Sequence, residues 1–193
     1  MLHADELAVL AAALDADPTP TPGAGDRLAA VLVPIVLEPD PALVFTVRGA
    51  ALSRHAGEIS FPGGLQDPGE TLAATALREA HEEIGLDPRM PRLLGALPPV
   101  HTFVSGILVT PFVGTLDRAP TFTVSEAEID EVLTFGIRRL AEVERDVTYD
   151  RPDGGAWRGF VYELDGHTVW GATGSMLHTL LETIRKETRW PMP

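Results

Sequence analysis

Three glutamates crowd one stretch of this chain, Arg78-Glu79-Ala80-His81-Glu82-Glu83-Ile84. On a helix, Glu79 and Glu83 are four residues apart and project together, with Glu82 beside them on the more open side. Like charges at that spacing repel by roughly 0.2–0.5 kcal/mol even when exposed, and by more once water is withdrawn. A single neighbouring guanidinium, Arg78, is outnumbered, so something else positive should sit against this edge. Magnesium or manganese suits the donor set, because hard cations prefer carboxylate oxygen and keep waters that a phosphate can displace.

A helix over Leu72–Ile84 must carry these side chains. At about 100° per residue, Leu72, Ala73, Ala76, Leu77, Ala80 and Ile84 fall within an arc of about 140° that faces the core. The plain alternative is a solvated acidic face, but Glu79 and Glu83 lie at the edge of the apolar arc. Gly85 ends the helix in the manner of a left-handed C-terminal glycine. Pro62-Gly63-Gly64 and Asp67-Pro68-Gly69 mark two turns before it. Upstream, Ala30–Leu37 and Ala42–Arg48 read as adjacent strands joined by Glu38-Pro39-Asp40-Pro41. Downstream, Arg92–Leu97, Ile107–Gly114, Val132–Phe135, Gly159–Leu164 and Thr168–Trp170 are strand candidates. Helices are expected over residues 4–16 and about 175–186, giving three in all. Residues 17–25, rich in proline, glycine and threonine, read as a surface loop. The expected fold is α/β (or α+β), a layered single domain over 1–193 with a mixed sheet and a core at about 28–187.

The formal charge of −13, from 28 acidic and 15 basic residues, disfavours nucleic-acid and anionic-membrane partners. Lys186 is the only lysine and cysteine is absent, which excludes disulfides, thiolate metal sites and thiol nucleophiles. No apolar run has the length of a membrane span, and the first residues lack the positive region of a secretory signal. A soluble cytoplasmic protein acting on a small molecule is expected.

The run from Gly64 through Glu70, Arg78, Glu79, Glu82, Glu83 and Gly85 to Leu86 resembles the Nudix box, with every fixed position matched. Seven fixed residues at about 7% usage each make a chance match roughly a one-in-a-million event. The resemblance implies an α/β/α sandwich with a loop–helix–loop motif. It implies Glu79, Glu82, Glu83 and Arg78 as catalytic residues. Magnesium or manganese would be held by the three glutamates, and the Gly64 carbonyl often contributes. Glu70 and Arg78 usually brace such a motif, and Gly85 is structural. The metals would neutralise a diphosphate, orient it and lower the pKa of an attacking water. Within the acidic cluster Glu126, Glu128, Asp130 and Glu131, the resemblance offers Glu128 or Glu131 as an extra metal ligand or general base.

The preceding segment resembles the signature of coenzyme A diphosphatases through Thr46, Arg48, Gly57 and Phe61-Pro62-Gly63-Gly64. Gly49 stands where serine or alanine is usual, Phe45 where leucine is common, and Arg54 one place beyond the family's second arginine, at Ser53. The implied substrate-binding residues are Arg48, Arg54 and Phe61. Val169-Trp170-Gly171-Ala172-Thr173-Gly174 resembles a run before the last helix of such proteins; Trp170 is expected in the core and Thr173 as helix cap. His81 is expected on the helix side away from the glutamates, and His101 in a loop lining the pocket. The leading expectation is hydrolysis of coenzyme A or its derivatives to a phosphopantetheine product and adenosine 3′,5′-bisphosphate. ADP-ribose, a dinucleotide or a nucleoside triphosphate is the alternative substrate, and a non-enzymatic ligand-binding module the third reading.

Overall fold

Strand β1, Arg27–Glu38, is buried along most of its length, as befits the strand about which the layers are built. The computed structural model describes residues 2–49, 57–102, 106–150 and 156–190. Four helices are described, α1 (Ala4–Ala12), α2 (Leu72–Ile84), α3 (Ile137–Val143) and α4 (Gly171–Glu187). The remaining strands are β2 (Ala42–Arg48), β3 (Ile59–Ser60), β4 (Gly63–Leu65), β5 (Arg92–Ala96), β6 (Val100–Thr102), β7 (Ile107–Arg118), β8 (Ile129–Gly136), β9 (Glu144–Asp150), β10 (Ala156–Leu164) and β11 (His167–Val169).

The large sheet is mixed. It runs β3-β2-β1-β7-β5, with β4 on β1, β6 on β7 and β8 on β2. β1 and β7 pair in parallel from Arg27↔Ile107 to Glu38↔Arg118, and the other described pairings are antiparallel. Alternation along β1 sends Ala30, Leu32 and Val36 to a cluster beneath α2, with Val44, Phe112, Ala76, Ala80 and Ile84. Val33 and Ile35 go to the opposite face, where they meet Phe45, Leu10 of α1, Leu140 of α3 and Leu177, Leu180 and Ile184 of α4. A three-stranded sheet, β11-β10-β9, completes that second layer. The result is an α/β/α arrangement around a mixed sheet. Glu144 ties its outer part together, accepting hydrogen bonds from Tyr162 Oη at 2.7 Å and Arg185 Nη1 at 2.9 Å, with His178 Nδ1 at 2.9 Å. Among the described residues, no helix is long and apolar enough to cross a membrane.

Several expectations need correction. Helix α1 stops at Ala12, because Asp15 leaves it to exchange backbone hydrogen bonds with Ala96. Helix α3 and strands β3, β4, β6 and β9 have no counterpart in the sequence expectations; most are too short for a periodicity. Thr173 lies inside α4 rather than capping it, the N-cap being Trp170. Trp170 is 44% exposed and so is not a core residue; Tyr162, Leu164 and Val169 fill the core nearby.

Candidate active site

Helix α2 begins where Thr71 accepts a hydrogen bond from the Ala74 N–H at 3.2 Å, and it ends at Gly85 with φ 68°. That left-handed turn admits glycine readily. An added Cβ at Gly85 would also stand 3.1 Å from the Thr123 carbonyl oxygen. The loop after β7 is thereby fastened to the last turn of α2, through Thr123 N to the Ile84 carbonyl at 3.0 Å and Ser125 N to the Glu83 carbonyl at 2.9 Å.

Strand β4 lies beside this helix, pairing Gly63 with Val31, Gly64 with Ala30 and Leu65 with Ala29. Glu83 is buried, 2% exposed, and its Oε2 accepts the Gly63 N–H at 3.1 Å. The Glu79 carboxylate fills the space a side chain at Gly64 would need: a Cβ there would stand 2.5 Å from the Glu79 carboxyl carbon. Glu82, as expected, is more open, its side chain 54% exposed.

Arg78 is fully engaged. Its Nε donates to Glu70 Oε1 at 3.0 Å and its Nη2 to Glu70 Oε2 at 3.2 Å and to the Leu65 carbonyl at 3.1 Å. Its Nη1 donates to Glu79 at 2.8 Å and to Glu82 at 3.1 Å. The guanidinium therefore braces the loop–helix junction. Glu70 is its partner in the brace, held at about 2 by the Arg78 hydrogen bonds and then by Thr75.

The electrostatics single out Glu79 and Glu83. Burial pushes the Glu83 carboxyl up to about 7, and the charges of Glu79 and Glu128 add to the rise. The Gly63 N–H and Arg48 offset only part of it. Glu79 is raised as well, first by burial, then by Glu82 and Glu128 against the pull of Arg78. Two adjacent carboxylates thus lack full compensation from the protein, and Arg48 Nη1 stands 4.0 Å from Glu83 Oε1. Arg48 Nε is buried with no hydrogen-bond partner among the described residues.

Glu128 is brought to this site, its charge bearing on both glutamates. It is placed by its backbone, whose carbonyl accepts the Gly49 N–H at 2.8 Å. Glu131 is not brought in. It pairs with Val47 and shares that residue's sheet face, opposite the face on which Arg48 meets Glu83. Phe61, expected to bind substrate, is 2% exposed and stacked on Phe45 with ring centroids 4.7 Å apart. Arg54 lies outside the described residues. His81 is exposed and approaches the Leu86 carbonyl at 3.3 Å. His101 sits on β6 rather than in a loop, with Nε2 3.0 Å from Asp26.

Among the described residues, no three of the histidine and carboxylate side chains stand together as a ready metal cluster. Arg78 draws Glu79 and Glu82 to itself while Glu83 turns to Gly63. The donor chemistry nevertheless fits a hard divalent cation: anionic oxygens, partly desolvated and short of positive charge. The sequence expectations omit Thr75, a fully buried hydroxyl 2.7 Å from Glu70. Its signal is a β-branched polar residue where alanine serves a helix better.

A NUDIX domain model matches residues 26–148, more than half of the chain. The uncharacterized Nudix hydrolase NudL of Photorhabdus laumondii is 35% identical over 169 residues, covering 83% of this chain and 86% of that protein. NudL of Salmonella paratyphi B is 38% identical over 159 residues, covering 80% and 81%. Among solved structures, a MutT protein from Methanosarcina mazei has a TM-score of 0.55 at 14% identity, covering 88% of this chain and 98% of that one. The NUDIX domain of Shewanella oneidensis NrtR, complexed with ADP ribose, has a TM-score of 0.54 at 14% identity, covering 84% and 88%. At such identities these two structures speak for the fold alone. The domain match, the two relatives and the loop–helix–loop carrying Glu79, Glu82 and Glu83 agree, and the chain belongs to the Nudix hydrolase family.

Proposed function

We propose that this site hydrolyses the diphosphate linkage of a nucleoside diphosphate derivative with the help of magnesium or manganese. The observation that carries the reading is the pair formed by buried Glu83 and partly buried Glu79, with too little positive charge around them. Glu79, Glu82 and Glu83 would hold the metal, with the Gly64 backbone beside them. When bound, the metal neutralises diphosphate charge and makes water more acidic. Arg48, next to Glu83 and with its side chain 32% exposed, would contact a diphosphate oxygen through the open part of its guanidinium. In the reaction, water oxygen bonds to one phosphorus and the bridging oxygen departs with the other phosphate. The water's proton passes to a carboxylate, for which Glu79 and Glu128 are the candidates; Glu131 faces the wrong way.

Family membership carries this broader substrate class, which includes ADP-ribose, dinucleotides and nucleoside triphosphates. Within it we propose coenzyme A or its derivatives, on the strength of Thr46, Arg48, Gly57 and Phe61-Pro62-Gly63-Gly64. Phe61 contributes to that segment by packing on Phe45. Arg48 is committed to the neighbourhood of Glu83, so the 3′-phosphate of coenzyme A needs another cation, and Arg54 is the one the sequence offers. The test is chromatography of products after incubation with magnesium and coenzyme A, its 3′-dephosphorylated form, ADP-ribose and a dinucleotide. A higher specificity constant for coenzyme A than for the dephosphorylated form is expected. Equal constants overturn the coenzyme A reading and leave the broader one; hydrolysis of none overturns both.

A further inference from the structure

We propose that Thr75 is a positioning residue for the metal-holding carboxylates, acting through Glu70 and Arg78. The inference rests on the reading of this site as a metal centre. Thr75 lies on α2 and is fully buried. Its Oγ1 is 2.7 Å from Glu70 Oε2 and 3.2 Å from the Thr71 carbonyl oxygen. A hydroxyl has one proton, and the nearer, anionic acceptor takes it. The bond to Glu70 therefore prevails over the local bond to the helix backbone that a threonine otherwise makes.

Thr75 is the fixed member of a relay. It is held in the helix interior, whereas Arg78 is a long side chain with several rotatable bonds. Glu70 takes its shortest hydrogen bond from Thr75, and its two oxygens then receive Nε and Nη2 of Arg78. That fork sets the plane of the guanidinium, whose remaining nitrogen lies 2.8 Å from Glu79 and 3.1 Å from Glu82. The two metal-holding carboxylates are thus referenced to the buried helix through Thr75, three contacts away. A valine at position 75 keeps the shape and removes the proton; an alanine keeps the helix and removes both. Neither can orient Glu70, while a serine can.

The experiment measures Mn2+ binding to the whole protein from the electron paramagnetic resonance signal of free Mn2+. Wild type is compared with Thr75→Val, Thr75→Ala and Thr75→Ser, and with Thr110→Val as a control. Thr110 is a second buried threonine, with no hydrogen-bond partner for its hydroxyl among the described residues. Thr75→Val and Thr75→Ala should weaken Mn2+ binding about tenfold, the low end for residues standing behind a metal site. Thr75→Ser and Thr110→Val should bind within about twofold of wild type, a margin set by ordinary context dependence. If Thr75→Val does not fold, the comparison of alanine with serine decides alone. Unchanged binding in the valine or alanine variant overturns the proposal, and so does equal weakening by serine, which would point to packing. Absence of Mn2+ binding by the wild-type protein would overturn the metal reading itself, and the relay with it.

Discussion

Replacing Glu83 with glutamine should make the metal-free protein more stable while removing its activity. The carboxyl rises from 4.5 to about 7 in the folded state, with burial the largest cause. The unfolded chain ionises this group first, so folding loses stability as pH climbs from 4.5 towards 7, and the loss is complete above 7. At ~1.4 kcal/mol per pH unit, that rise corresponds to roughly 3 kcal/mol. A glutamine bears no such cost, and its side-chain oxygen can still accept the Gly63 N–H that now lies 3.1 Å from Glu83. Below 4.5 the two proteins should be alike. Above 7, with a chelator present, the variant should melt higher by up to roughly 6–12 °C, at about 2–4 °C per kcal/mol for a chain of this size. Adding magnesium should raise the midpoint of the wild type and leave that of the variant unmoved, because only a cation bound to the folded state stabilises it. Turnover of a diphosphate substrate should fall by orders of magnitude. Thermal melts across this pH range, with and without magnesium, decide the matter. A variant that melts below wild type above pH 7 in chelator, or that keeps the magnesium-dependent rise, would refute the reasoning.

Gly64→Ala should place its Cβ against the Glu79 carboxylate, and magnesium titrations of activity should show weakened activation while circular dichroism reports an intact fold. Glu128→Gln removes a charge that bears on Glu79 and Glu83 and should change the acidic limb of the pH–rate profile. Glu131→Gln, on the other sheet face, should leave that profile unchanged. Tyr162→Phe deletes the 2.7 Å hydrogen bond to Glu144 in the second layer. It should cost about 1.5–3 kcal/mol in chemical denaturation, with turnover per folded molecule unaltered.

Helix α2 was legible from sequence because everything that defines it is local. An apolar arc and a terminal glycine lie within one stretch, and the backbone geometry of a helix alone puts Glu79, Glu82 and Glu83 on neighbouring positions. Strand β2 was legible for the same reason, its apolar run being bounded by Pro41 and Gly49. What only the tertiary structure decided depends on residues distant in the chain. The burial of Phe61 comes from its stacking on Phe45, sixteen positions earlier in the chain. Trp170 looked like core, yet the apolar side chains around it fill that space without it. Glu128 and Glu131 could not be separated by composition, because Glu131 takes its face from its register on β8 while Glu128 precedes that strand and is placed by the Gly49 N–H on its carbonyl. The short strand β4 has no periodicity of its own and exists through its register with β1. The proton affinity of Glu83 likewise follows from burial by layers that converge from across the chain. Spacing along a helix names the carboxylates; the packing of β1, β4 and the loop after β7 around them decides which are short of positive charge.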